Sequence, residues 1–190
     1  MAKDVIEIRW HGRGGQGAKT AATAVAEAAI DEGKFSQGFP EYGPERMGAP
    51  IKGYTRISEE PITDHSAVYF PDYVVVLDET LLEVVDVCEN LSEEGAVIIN
   101  TTATPDEIKE KLGAVKGAVY TVDATQISID EIGRPIPNTP MIGALMKVTG
   151  AVSLEAIYHD IEKKFGAKFG AKIVDGNKSA IKRAFEEVKS

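Results

Sequence analysis

The sequence predicts an α/β fold: a three-layer Rossmann-like domain with a mostly parallel or mixed sheet and helices on both faces. Three observations predict it. Short Val- and Ile-rich runs recur at 73–77, 96–100 and 118–122, as expected for strands buried on both faces. Helix-start signals fall between and after them, most plainly Thr104-Pro105-Asp106-Glu107 and Asn138-Thr139-Pro140. A first strand runs into four glycines within six residues and then into an Ala-rich helix. At 190 residues the chain reads as one domain, 1–190, large enough to bury a core without staples.

Each element follows from its residues. Residues 5–10 alternate apolar and polar and predict a strand. Residues 18–32 predict a helix stopped by Gly33, with alanines that allow close packing on a sheet. Residues 35–37 suggest a short strand. Residues 38–50 hold three prolines and three glycines and read as irregular. IKGYTRI at 51–57 alternates and predicts a strand, closed by a turn at 58–61. The run at 73–77 predicts a buried strand and 79–88 a helix that Asp78 caps. Strands follow at 96–100 and 118–122, with a capped helix from Thr104 between them. Helices are expected from Asn138 to about Thr149, over 153–165 with a capping box at Ser153, and over about 177–188.

The glycine loop carries the strongest functional signal. Glycine lets backbone approach a ligand closely, and a helix N-terminus offers unpaired N–H groups and a partial positive charge. An anionic group such as a phosphate suits Gly12, Arg13, Gly14, Gly15, Gln16 and Gly17, with Gly14 expected at positive φ. Two patterns compete. Gly12, Gly14 and Gly17 fit G-x-G-x-x-G, the mark of a nicotinamide-type dinucleotide site, but 34–40 offers no acid at the end of a second strand. Gly12 and Gly17 also have P-loop spacing. There Ala18 displaces Lys19 and Thr20 by one residue, about 100° around a helix. A stand-alone Rossmann-like oxidoreductase and a P-loop-like ATPase therefore remain as alternatives on these residues. The irregular 38–50 segment, with Tyr42 and Arg46, is expected to reach the same rim.

Composition excludes several classes. The formal charge is −9, which argues against nucleic acid and anionic membranes. It is uneven: residues 1–57 hold eight Lys/Arg against seven Asp/Glu, and the rest hold thirteen against twenty-three. The glycine loop thus lies in the non-acidic part. No 18-residue apolar run and no signal-peptide pattern occurs, and a lone Cys88 fits a reducing cytoplasm. One cysteine cannot supply the four thiolates of an iron–sulfur cluster. His11, His65 and His159 lack metal-ligand spacing. No nucleophile elbow or triad order is present, so no catalytic residue is assigned.

Three segments go further. GRGGQGAKTAA at 12–22, EYGPERMGAP at 41–50 and NTPMIGALMKVTG at 138–150 resemble the gamma subunit of 2-oxoacid:ferredoxin oxidoreductases, most of all the pyruvate:ferredoxin (pyruvate synthase) type. The resemblance implies a complex that converts pyruvate, coenzyme A and oxidised ferredoxin to acetyl-CoA, CO2 and reduced ferredoxin. It implies thiamine diphosphate, magnesium and iron–sulfur clusters, all on other chains: thiamine-binding alpha and beta subunits and a ferredoxin-like delta subunit. No G-D-G…N thiamine signature occurs here, since Asp175-Gly176-Asn177 is too short and is placed at a helix start. The chain is then an inactive accessory subunit by itself, in the cytoplasm. Gly12–Gly17, Tyr42, Arg46, Asn138 and Thr139 are its candidate contacts to coenzyme A or to a partner subunit.

Overall fold

The computed structural model describes residues 5–41 and 47–190. Six strands form one mixed sheet. They are β1 (Val5–Arg13), β2 (Phe35–Pro40), β3 (Pro50–Ser58), β4 (Tyr73–Val76), β5 (Ala96–Asn100) and β6 (Ala118–Val122). Their spatial order is β2-β3-β1-β4-β5-β6. β3 is antiparallel to both β1 and β2, whereas β1, β4, β5 and β6 run parallel. The antiparallel partner explains why β1 runs three residues past its expected end: Arg13 still pairs with Pro50. It also explains β2. Residues 38–40, expected to be irregular, find ladder partners in Thr55, Tyr54 and Gly53.

Six helices are described: α1 (Ala18–Asp31), α2 (Pro105–Leu112), α3 (Ala124–Ile132), α4 (Asn138–Thr149), α5 (Leu154–Phe169) and α6 (Ala171–Glu187). The alanines of α1 bring it flat against the sheet, where Ala18, Ala21, Ala22, Ala28 and Ala29 are fully buried. With α3 to α6 it covers Ile8, Trp10, Val75 and Ile98 in the larger core. A fully buried Ile98 side chain contributes about 1.5–3 kcal/mol relative to exposure. Trp10 Nε1 donates to Thr55 Oγ1 at 3.0 Å, and that hydroxyl donates to the Ala22 carbonyl at 2.9 Å. α4 and α6 cross so closely that a Cβ at Gly143 would stand 2.0 Å from the Ile181 carbonyl oxygen. The other face of β4–β6 is covered by α2 and the 79–91 segment, around Val74, Val76, Val97, Ile99 and Val119.

Several expectations change. The helix expected over 79–88 is only a 3-10 turn, Glu79–Glu83, that stops at Val84. Val84, Val85 and Val87 are β-branched and disfavour continuation. Asp78 does cap the turn, accepting from the Thr80 N–H. At α2 the full capping box forms between Thr104 and Glu107. At α5 only half of the expected box forms: Ser153 accepts from Ala156 N–H, and the third residue on carries no carboxylate to answer. α5 extends to Phe169, and α6 begins at Ala171 rather than Asn177. Asp175-Gly176-Asn177 is therefore inside a helix and not at its start. α3 was not expected, although Asp123 with Gln126 three residues on is a cap signal, and Asp123 does accept from Gln126 N–H.

Candidate functional site

The glycine loop leaves the carboxyl end of β1, at the rim where open α/β sheets bind ligands. Positive φ falls on Gly15 (98°) and Gly17 (84°), not on Gly14 as expected. Gly14 instead bonds to the turn that leads into β3, donating to Ala49 O at 2.9 Å and accepting from Gly48 N–H at 3.2 Å. The 47–50 end of the irregular segment thus reaches the rim, as its sequence suggested. Tyr42 and Arg46 lie outside the described residues. Gly12 is wedged between helix and sheet: a Cβ there would sit 3.2 Å from Ala18 Cβ and 3.3 Å from Leu77 Cδ1.

Gly17 opens α1 with no side-chain cap, and the first turn carries no acid. The N–H groups of Ala18, Lys19 and Thr20 have no carbonyl four residues back within the helix. They head a cavity of about 460 Å³ lined by Gly14, Gly15, Gly17, Lys19, Met47 and Ile51. Asn138, at the start of α4, closes on the loop from below. A Cβ on Gly17 would fall 2.5 Å from Asn138 Nδ2. Thr139, the neighbouring candidate, is buried beside a different cavity and does not face the loop.

Arg13 and Gln16 are held by residues that sequence reasoning assigned only to a helix cap or not at all. Gln16 Oε1 accepts from the Arg13 backbone N–H at 2.7 Å, and its Nε2 donates to Asp78 Oδ2 at 2.7 Å. The Arg13 guanidinium donates to Thr80 Oγ1 at 2.7 Å and to Gly48 O at 3.1 Å, and stands 3.3 Å from Asp78. Burial pushes the Asp78 carboxyl up, but bonds from Thr80 and Gln16 and the Arg13 charge outweigh it and hold the pKa below the ordinary range. Asp78 is thus an ionised anchor for the loop. Beyond it, Asn100 bridges Leu77 O and Thr125. Thr101 donates to Glu79. These line a second rim cavity of about 510 Å³. The signal for them was present: each polar residue directly follows an apolar strand, the ligand-bearing position in such sheets.

The two alternative readings of the loop lack their further parts. β2 ends at Pro40, and the next acid, Glu41, pairs with Lys52 at 3.9 Å across the edge strands. β2 is also not hydrogen-bonded to β1, as a dinucleotide half-domain would have it. Lys19 and Thr20 are exposed on the first turn of α1. Among the described residues no three His, Cys, Asp or Glu side chains gather as a metal site. Cys88 is half-buried, and burial and Asp86 push its thiol up to about 11 despite Arg9.

Fold and loop define an α/β domain that offers an uncapped helix end, and no nucleophile or metal cluster among its described residues, at the ligand-bearing rim. The chain belongs to the pyruvate ferredoxin/flavodoxin oxidoreductase family, which matches over residues 7–187. It is 53% identical over 189 residues to pyruvate synthase subunit PorC of Thermotoga maritima, covering 100% of this chain and 97% of that one. It is 48% identical over 183 residues to the common gamma subunit of pyruvate/ketoisovalerate oxidoreductases of Pyrococcus abyssi, covering 96% and 97%. The crystal structure of the pyruvate oxidoreductase subunit from Thermotoga maritima superposes with a TM-score of 0.87 at 49% identity, over 98% of each chain. No described helix is long and apolar enough to cross a membrane.

Proposed function

We propose that this chain is the gamma subunit of a multi-subunit pyruvate:ferredoxin oxidoreductase, and that its glycine loop receives the anionic end of coenzyme A. The observation that carries the subunit reading is the 53% identity to a pyruvate synthase subunit along the whole chain. Thiamine diphosphate with magnesium, and iron–sulfur clusters, supply the decarboxylation and electron-transfer chemistry on alpha, beta and delta subunits. This chain's single cysteine fits that division of labour. Its own contribution is to pack beside those subunits, in the cytoplasm, and to present the rim of the sheet.

The loop supports the ligand reading through its donors. Gly17–Thr20, the first turn of α1 with its unpaired N–H groups, line one cavity, and that turn carries no carboxylate. Arg13 enters the loop from β1 with its guanidinium held by Asp78, Thr80 and the Gly48 carbonyl, and its planar fork is of the kind that grips phosphate oxygens two at a time. Arg46 is a further candidate from the sequence.

A tagged copy of the chain, purified from its native cell, should bring down a brown complex that reduces ferredoxin with pyruvate and coenzyme A. In that complex Arg13→Ala should raise the coenzyme A KM roughly tenfold, about 1.4 kcal/mol, and leave the pyruvate KM in place. Arg13→Lys should recover part of the loss. Recovery of the chain without such an activity overturns the subunit reading. An unchanged coenzyme A KM, or dissociation of the complex, overturns the loop assignment alone.

A further inference from the structure

The two outer layers of the molecule differ sharply in charge. Residues 58–116 hold fourteen Asp/Glu and three lysines, a formal −11, whereas residues 117–190 hold nine Asp/Glu and ten Lys/Arg. β4 and β5 aside, the 58–116 stretch supplies the layer on the sheet face turned from α1. Its 59–72 chain lies over β1–β3, and its 79–91 segment and α2 lie over β4–β6. The net negative charge of the chain therefore sits on one layer, and the helical layer opposite is close to neutral.

A groove crosses the acidic layer. Two hollows of about 570 and 410 Å³ lie between the 82–91 segment and the end of α2, and Asp86 and Leu112 line both. Val84, Leu112 and Val115 give the groove apolar walls, and Val84 is 60% exposed. The two lysines at the groove are already engaged: Lys111 pairs with Glu83 at 3.4 Å and Lys116 with Glu93 at 2.7 Å. Asp86 and Glu89 are exposed, and neither carboxylate is in an ion pair with any described residue.

This combination selects its occupant. A lysine or arginine side chain lays an apolar stem along valine and leucine and brings its charged end to a carboxylate. A second copy of this chain, a nucleic acid or an anionic membrane would meet charge of its own sign. A divalent ion finds no three His, Cys, Asp or Glu side chains gathered among the described residues. From the groove, its two unpaired carboxylates and the one-sided charge, we infer that this layer docks a lysine- or arginine-bearing segment of another subunit of the complex, with basic side chains lying along Val84 and Leu112 and ending at Asp86 and Glu89. Tyr69 and Phe70, 61% and 67% exposed on the same layer, offer aromatic anchors outside the groove. The docking surface rests on the subunit reading and not on the glycine loop.

The test uses the complex that a tagged copy of the chain brings down. A carbodiimide with a small amine caps carboxylates that solvent can reach. Asp86 and Glu89 should take up this label only after urea has parted the subunits. Two variants then separate charge from shape, both at an exposed position that should leave the fold intact. In cells that also make the unaltered chain, Val84→Arg should hold a roughly tenfold smaller share of the complex than Val84→Glu, because it sets like charge against the incoming cation. The difference should shrink at high salt. A merely structural effect would move both variants alike. Labelling of Asp86 and Glu89 in the intact complex at the rate of the parted chain, or equal incorporation of the two variants, overturns the docking surface and leaves the subunit reading standing. A tagged chain that brings down no other subunit overturns both.

Discussion

One face of the sheet is built in two opposite ways. On the parallel half, the face turned from α1 is aliphatic: Val74, Val97 and Val119 form one row, and Val76 and Ile99 the next. The same rows continue onto the antiparallel half as Arg9 and Tyr54, then His11 and Lys52. Arg9, His11 and Arg56 are buried as deeply as the valines. The difference lies in what covers each half. Over β4–β6 lie α2 and the apolar side chains of the 79–91 segment, whereas β1–β3 are covered partly by irregular chain. Irregular backbone brings carbonyls that no ladder satisfies. Arg56 donates to Ser66 O at 2.7 Å and Ala67 O at 3.3 Å, and pairs with Glu7 at 2.9 Å. Arg9 donates to Val87 O at 3.1 Å and Glu89 O at 2.6 Å. An arginine, with five donors and a long apolar stem, fills a buried place that valine would leave polar groups stranded in. Buried charge here is a consequence of loop cover, not a sign of chemistry.

The sharpest way to break this contrast is Arg56→Met, which keeps the stem and removes the donors. It removes the buried ion pair with Glu7 and the bonds to the Ser66 and Ala67 carbonyls, and about 3–5 kcal/mol of stability should go. A fall in denaturation midpoint at unchanged m reads it. A loss under about 1 kcal/mol would mean that water already serves those carbonyls.

Acid should separate the halves next, because the antiparallel half buries a histidine where the parallel half buries valines. Burial first, then the Arg9 and Lys52 charges, holds His11 neutral, with its pKa down to about 3 from an ordinary 6.5. Arg9 Nε donates to its Nε2 at 3.1 Å, which needs that neutral ring. Below pH 6.5 the unfolded chain takes up a proton that the folded chain refuses. The stabilisation is therefore complete above about pH 6.5 and is lost as pH falls toward 3, by up to about 1.4 kcal/mol per pH unit. Between pH 6.5 and 5, His11→Gln, which retains an acceptor for Arg9, should flatten the slope of stability against pH. An equal slope in both proteins would place the titration elsewhere.

The smallest effect belongs to the aliphatic half. Ile99→Val removes one methylene from a fully buried row and should cost about 1 kcal/mol, within the 0.5–1.5 usual for that change. Its pH dependence should match that of the unaltered protein. A pH-dependent loss would show that the two halves are coupled through the shared rows.

The site was legible to different depths. The glycine loop and Asn138 announce themselves because their constraints are local: a strand, a tight turn, a helix start. Gly15 and Gly17 need positive φ, and Gly17 admits Asn138 only because it has no Cβ. Asp78 was legible as a cap and not as the anchor of Arg13 and Gln16. Those partners meet only when β4 is laid beside β1. The misplaced positive φ at Gly14 has the same origin. In a run of glycines, the hydrogen bonds of Gly14 to Gly48 and Ala49, just beyond the β1–β3 ladder, decide which one turns.

What the sequence determined by itself is the set of elements whose cause lies within a few residues. The valine runs made β4 to β6, the alanines made α1, and the Thr104–Glu107 box started α2. It also determined the family, through three spaced segments. Tertiary structure alone decided that β3 runs antiparallel between β1 and β2, which lengthened both partners beyond their own patterns. It decided that Arg9 and His11 are buried while reading as the polar face of an alternating strand. Alternation records which face a side chain takes, but not what will cover that face. The cover here comes from chain distant in sequence, and its unsatisfied carbonyls, rather than any local propensity, made arginine and histidine the residues that fit.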